Sequence, residues 1–189
     1  NGGTFKTVTA TQALFGTGAG STQGGTLNIR DGDFNGKFIT AGSMPYEIKI
    51  SGGSYTDNPA EYLTNEVEAV VTDKGMTAFT VYDDLQSAVD QAESGETVTV
   101  YQSGLSADIG RKSGLKVNTK DDSVTLPTLT SAGQKVDINA DGSLTVIWTV
   151  SFEGYGSKEY ENGSIITIPQ APTALNGFAF IGWSDGSRL

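Results

Sequence analysis

Over the first sixty residues the apolar positions recur as a phrase rather than with a fixed period. Leu27-Asn28-Ile29-Arg30-Asp31-Gly32-Asp33-Phe34 can be laid on Ile48-Lys49-Ile50-Ser51-Gly52-Gly53-Ser54-Tyr55 at an offset of 21 residues. Apolar residues fall at the first, third and eighth places and glycine at the sixth. Gly3 and Phe5 repeat the Gly-x-aromatic ending once more upstream, so the aromatics Phe5, Phe34 and Tyr55 are 29 and 21 residues apart. Unequal spacing with a constant phrase is what stacked coils give when strands keep register and loops vary in length. Residues 1 to about 60 therefore read as rungs of a right-handed parallel β-helix, with Ile29 and Ile50 stacked inside and Gly32 and Gly53 at corners that a Cβ resists. A Gly-rich antiparallel sandwich is the alternative.

The pattern changes to a helical one at Asp83–Ser94. Leu85, Ala88, Val89 and Ala92 follow i, i+3, i+4, i+7 spacing, Asp83 with Gln86 forms an Asp-x-x-Gln capping box, and Gly95 stands where a left-handed helix end is expected. Thr97-Val98-Thr99-Val100-Tyr101 then alternates with period two, predicting a strand. A helix this short is marginal alone and is expected to cap or flank stacked strands. After Gly114 the runs are short, with a hairpin signal at Asp141-Gly142 between Lys135-Val136-Asp137-Ile138 and Ser143-Leu144-Thr145-Val146-Ile147-Trp148. A last section follows Trp148, with a turn at Gly154 to Gly156. The expected organisation is a β-helix-like segment over 1–80, a helix with short strands over 81–146, and a small module over 147–189. The fold class is mainly β: short parallel rungs, one capping helix, then a small β module.

Composition sharpens this picture by exclusion. The 189 residues include 25 glycines, about twice the usual share, as many tight turns require. The 12 basic and 22 acidic residues give a net charge of -10, which opposes a nucleic-acid partner through phosphate repulsion. With no Cys and no His, the chain lacks thiolate nucleophiles, imidazole bases and the usual transition-metal ligands. No apolar run reaches the roughly 18 residues that cross a bilayer, so no membrane insertion is expected. Starting at Asn1 without a leader pattern, the sequence reads as a piece of a longer chain.

Two segments resemble parts of large secreted surface proteins of gut Firmicutes and related bacteria. Ile50-Ser51-Gly52-Gly53-Ser54-Tyr55-Thr56-Asp57-Asn58-Pro59-Ala60-Glu61-Tyr62-Leu63, with Glu68-Ala69-Val70 and Phe79-Thr80-Val81, is similar to the part that closes a β-helical block. Tyr82-Asp83-Asp84-Leu85-Gln86-Ser87-Ala88-Val89-Asp90-Gln91-Ala92 with Gly95-Glu96-Thr97-Val98-Thr99-Val100 is similar to the unit that opens another. Long glycine-marked rungs are not evident over 102–146, and the architecture there stays open. The last section carries Val150-Ser151-Phe152, Ile168-Pro169, Pro172 and the ending Gly177-Phe178-Ala179-Phe180-Ile181-Gly182-Trp183, and on these residues it resembles the Listeria–Bacteroides repeat, the internalin B-type repeat, which implies a small β-grasp-like module. It departs in having Glu153-Gly154-Tyr155-Gly156 where paired glycines are usual, and in stopping before the module's final strand. The resemblances imply an extracellular, cell-surface or cell-wall location.

Candidate chemistry is sparse. Asp31-Gly32-Asp33-Phe34-Asn35-Gly36 and Asp137-Ile138-Asn139-Ala140-Asp141-Gly142 begin like calcium loops, but their twelfth positions are Gly42 and Trp148 rather than a bidentate Glu. They read as a coil corner and a hairpin turn, because Asp, Asn and Gly favour turns for backbone reasons. Asp31 and Asp33 form the one close carboxylate pair on a predicted rung, the arrangement a polysaccharide-cleaving site needs, although a turn at Gly32 would separate them. Tyr46, Tyr55, Tyr62, Tyr101 and Tyr155 are candidates for stacking on sugars, while Trp148, Phe152, Phe178, Phe180 and Trp183 are expected to fill the core of the last module. No catalytic, cofactor-binding or metal-binding residue is assigned and no cofactor is expected. Three functions stay in play: a non-catalytic adhesive or spacer stalk, a glycan-binding module, and a fragment of a β-helical lyase or hydrolase. Host or microbial glycans and surface proteins are the expected partners.

Overall fold

The computed structural model describes residues 3–7, 14, 24–38, 47–152, 154–170 and 182. The chain divides into two compact units, Asn1–Val146 and Ile147–Leu189.

In the first unit, β1 (Thr4–Lys6), β2 (Thr26–Ile29), β3 (Asp33–Asn35), β4 (Glu47–Ile50) and β5 (Gly53–Tyr55) build a first coil. β1, β3 and β5 lie parallel in one wall, with Phe5 beside Phe34 and Phe34 beside Tyr55. β2 and β4 lie parallel in a second wall, with Leu27 beside Ile48 and Ile29 beside Ile50, and Leu63 continues that wall by bridging to Ile50. The repeated phrase is thus a rung, and its two copies stack in the register the sequence predicts. The parallel pairing excludes the antiparallel sandwich. Gly32 and Gly53 turn the corners at φ 123° and 102°. The amide of Asp33 donates to the Gly3 carbonyl and that of Ser54 to the Gly32 carbonyl, each at 2.8 Å, so the corners themselves carry the ladder. A Cβ on Gly52 would stand 2.2 Å from the Arg30 carbonyl oxygen, which is why this corner needs glycine.

β6 (Ala69–Thr72) and β7 (Phe79–Tyr82) then form an antiparallel hairpin that extends the first wall. β7 pairs with β5, β6 pairs with β8 (Thr97–Val100), and β8 pairs in parallel with β10 (Lys116–Thr119), giving a seven-stranded sheet in the order β1-β3-β5-β7-β6-β8-β10. A second wall opposite β8 and β10 is made by β9 (Ser106–Asp108) and β11 (Thr128–Ser131), also parallel, with Ala107 beside Leu129. Residues 97–131 are therefore a second coil of two rungs, which settles the architecture of the stretch the sequence left open. β12 (Gln134–Ile138) closes it antiparallel to β11 and turns through Asn139–Ser143 into β13 (Leu144–Phe152).

The two coils have separate interiors. Val70 and Val81 pack with Ile29, Phe34, Ile50 and Tyr55, whereas Ala69 and Val71 pack with Leu85, Val98, Val117 and Leu129. Neighbouring residues of a strand point to opposite faces, so the first coil lies against one face of the shared sheet and the second coil against the other. This explains the unalternated run Ala69-Val70-Val71, all buried: β6 is covered on both sides. Strand direction reverses between β5 and β8, and the face holding the interior reverses too. Two reversals leave the sense of winding unchanged, so both coils have the same hand.

The helix, α1, spans Leu85–Gln91, shorter than the expected Asp83–Ser94. Its cap is Asp84 rather than Asp83: the Asp84 carboxylate accepts the Ser87 amide at 2.7 Å. Ala92 is already extended, and Gly95 takes its positive φ of 91° in the following turn. The apolar stripe is as predicted, with Leu85, Ala88, Val89 and Ala92 all buried in the second interior. Lys112 secures the helix end, its ammonium donating to the carbonyls of Asp90 and Ala92.

In the second unit, β13 and β14 (Gly156–Glu161) form an antiparallel hairpin in which Trp148 stands opposite Tyr160 and Phe152 opposite Gly156. Trp148 is 45% exposed, so it is not the core residue expected of it. Phe152 is half-buried at the end of β13, while the other expected core residues, Phe178, Phe180 and Trp183, and with them the Gly177–Trp183 ending of the repeat-like signature apart from Gly182, lie outside the described residues, as does Pro172.

Candidate functional site

The carboxylate pair is not brought together as a reacting pair. Asp31 sits in the bend before the corner, where its carboxylate accepts the Gly32 amide at 2.8 Å, while Asp33 is exposed on β3 within 3.5 Å of the Thr4 hydroxyl. An open groove of about 410 Å³ runs beside this corner and is lined by Arg30, Asp31, the Gly52–Ser54 turn, Glu66, Tyr82 and Asp83, without Asp33. Glu66 reaches the groove from the turn before β6 and Asp83 from the approach to α1, a meeting that sequence spacing gives no sign of. Three carboxylates against one guanidinium favour cationic or neutral guests and oppose an acidic sugar.

Elsewhere carboxylates serve their own turns. The Asp73 carboxylate accepts the amides of Gly75, Thr77 and Ala78 in the β6–β7 turn. The Asp108 carboxylate accepts those of Gly110 and Ala132, tying successive rungs of the second coil. Among the described residues, the carboxylates held away from their ordinary range are Asp73, Asp84, Asp108, Asp121 and Asp141. All five are lowered, with hydrogen bonds as the leading cause, from Ser87 at the start of α1 for Asp84 and from nearby turn and loop residues for the others. A general acid requires the opposite shift.

The two calcium-like beginnings behave as turns. Asp141 accepts the Ser143 amide and hydroxyl, Asn139 donates to the Ser143 and Thr145 hydroxyls, and Asp137 pairs with Lys135 at 2.9 Å. Asp31 and Gly32 form the corner described above, and Gly42 lies outside the described residues. Among the described residues, no group of three or more acidic side chains is placed to hold a metal ion.

Of the tyrosines, Tyr55 is only 2% exposed, which overturns its candidacy for sugar stacking. Its ring lies 5.0 Å from that of Phe34 and nearly coplanar at 8°, Phe34 stands at 4.9 Å and 6° from Phe5, and its hydroxyl donates to the Gly52 carbonyl at 2.6 Å. Burial, then the nearby Asp31 charge, pushes the Tyr55 hydroxyl's pKa well up. Tyr62 leans on Phe38 at 5.1 Å, and Tyr101 packs on the first interior. Tyr155 is 49% exposed, and Tyr46 lies outside the described residues. Two aromatics that sequence reading did not pair, Trp148 and Tyr160, stand directly opposite each other in the β13–β14 register, with the Lys158 ammonium 5.3 Å from the Tyr160 ring centre.

Among the described residues, no helix is long and apolar enough to cross a membrane. No family model, curated protein or solved structure matches the chain.

Proposed function

We propose that the chain is a non-catalytic module of a secreted or cell-wall-attached bacterial surface protein, with the coils serving as a spacer or adhesive stalk. The observation that supports this best is the use made of the rung side chains. The aromatics form an internal ladder, and the perturbed aspartates cap turns, so the groups a hydrolase would deploy are spent on stacking. Rungs held by backbone ladders and interior packing resist bending and leave loops at the corners as a contact face. The sequence resemblances add the surface location and a Listeria–Bacteroides-type module over 147–189.

A second reading, glycan binding, draws on Trp148. An exposed indole beside Tyr160 on a β-hairpin is a platform of the kind that stacks on neutral sugar rings. The purified chain should be presented to mucin glycans and to plant and microbial polysaccharides, scoring retention and product release together. The stalk reading expects no product in any well. Retention lost on Trp148→Ala would establish the glycan-binding reading, and product release would overturn both.

A further inference from the structure

We propose that Asn162 is a self-modification site: its side chain cyclises onto the Gly163 amide, loses ammonia and becomes aspartate or isoaspartate, while the like pair at Asn35 is held back by the fold. The inference goes beyond the functional reading above and does not depend on it.

The chain has four Asn-Gly pairs, at 1–2, 35–36, 162–163 and 176–177, of which the second and third lie among the described residues. The reaction is a displacement within two residues. The main-chain nitrogen of the glycine, having shed its proton to solvent, attacks the asparagine Cγ. A nitrogen–carbon bond forms, the side-chain carbon–nitrogen bond breaks, and the side-chain nitrogen takes up a proton and leaves as ammonia. Water then opens the five-membered succinimide at one carbonyl or the other, giving isoaspartate or aspartate. Glycine favours the attack because no Cβ stands in its way. The structural requirement is that the peptide unit between the two residues can swing toward the side chain.

At Asn35 that unit is bonded at both ends. The Asn35 carbonyl accepts the Thr7 amide at 3.1 Å, and the Gly36 amide donates to the Thr56 hydroxyl at 2.9 Å. Asn35 also ends β3, which is flanked in its sheet by β1 and β5. A Cβ on Gly36 would meet Thr7 at 2.8 Å, so there is little room beside it.

At Asn162 the unit is bonded at neither end. Asn162 and Gly163 are the central residues of the turn that follows β14, closed by the Ser164 amide donating to the Glu161 carbonyl at 3.0 Å. Gly163 takes φ 86°, the value a type II turn requires at that place. A bond from the first to the fourth residue leaves the central peptide out. Among the described residues, neither the Asn162 carbonyl nor the Gly163 amide makes a hydrogen bond. Both residues are exposed, and a Cβ on Gly163 would meet nothing within 4 Å, so the unit has space to swing.

Conversion has a structural consequence. Either product adds a carboxylate beside Glu161. Isoaspartate also adds a methylene to the main chain between β14 and the segment that Tyr160 holds, its hydroxyl donating to the Thr167 carbonyl at 3.2 Å.

The test follows the folded full chain at mildly alkaline pH by peptide mapping with mass spectrometry that separates aspartate from isoaspartate. Asn162 should convert at least about tenfold faster than Asn35, the factor that one or two hydrogen bonds supply. Thr56→Val releases the Gly36 amide and should speed Asn35 severalfold while leaving Asn162 as it was. Gly163→Ala should slow Asn162 by about tenfold or more. In denaturant, where neither turn nor strand persists, the two asparagines should convert at similar rates, and this comparison needs no variant to fold. Three results would overturn the proposal: Asn162 converting no faster than Asn35 in the folded chain, the same ratio of rates persisting in denaturant, or Thr56→Val leaving the Asn35 rate unchanged.

Discussion

The two coils of the first unit wind in the same sense around opposite faces of one sheet, yet they hold their rungs in register by different means. In the first coil, large rings and glycine corners do it: Phe5, Phe34 and Tyr55 stack, and the corner glycines let backbones approach where a Cβ would collide. In the second, small aliphatics stack, Val98 on Val117 and Ala107 on Leu129. Side-chain hydrogen bonds to the backbone complete it: Gln86 of α1 exchanges two with the Asp108 backbone, and the Asp108 carboxylate ties Gly110 to Ala132. Aromatic stacking fills width with few residues, whereas an aliphatic interior of this size needs α1 to cover it. The helix belongs to the second coil because that coil's own side chains are too small to close its interior.

The largest test of the contrast is to delete the central side chain of each interior. Tyr55→Ala should cost about 3–5 kcal/mol and Leu129→Ala about 2–5 kcal/mol, measured by denaturant unfolding. Because β5, β7, β6 and β8 are consecutive strands of one sheet, both substitutions should shift the same single transition. Two separable transitions would mean that the shared sheet does not couple the coils. Next come the corners. Gly52→Ala places a methyl against the Arg30 carbonyl and should cost about 1–3 kcal/mol or more. Gly104→Ala in the second coil meets open space and should cost only about 1–2 kcal/mol, for its φ of 79°. Smaller again, Asp84→Ala removes the cap of α1, at about 1 kcal/mol. It should loosen amide exchange in the second coil and leave the first unchanged.

The mildest contrast is with pH. Asp84 is lowered by its hydrogen bonds to α1, and Asp108, Asp121 and Asp141 by their turn hydrogen bonds. Their stabilisation is present above the unfolded carboxyl pKa and is lost as pH falls below roughly 4. They all lie in or around the second coil, and their solvent exposure keeps the effect small. Tyr55 is raised, so its contribution is intact below about pH 10 and is lost as pH rises further. Amide exchange resolved by residue should therefore show acid loosening the second coil first and strong alkali the first coil first. The reverse order would break the contrast.

The same difference decides how much of the molecule was legible in its sequence. The first coil announces itself because glycine and an aromatic recur at fixed places in each rung, and loop length does not disturb them. The second coil stacks Val on Val and Leu on Ala, patterns that any half-buried strand displays, and its corners use unlike residues, so the sequence over 102–146 carries no visible repeat. The stripe of α1 was readable, but its cap was misplaced by one residue, since Asp83 and Asp84 are adjacent and either could serve. Tyr55 lies inside, where the repeat that marks the rung places it, and not on the surface that sugar stacking would need. For the candidate site, the groove joins Asp31 to Glu66 and Asp83 through the hairpin's return to β5, a long-range pairing that leaves no local pattern. Trp148 stands opposite Tyr160 through hairpin register, which the turn at Gly154 to Gly156 could have suggested.

The central claim is that adjacent residues of β6 face two different interiors. Methyl NOE spectroscopy on selectively labelled valines tests it most directly. The account predicts that Val70 and Val81 report on the cluster of Ile29, Phe34 and Tyr55, while Val71 reports on that of Leu85, Val98 and Val117. Val70 and Val71 reporting on the same cluster would contradict it.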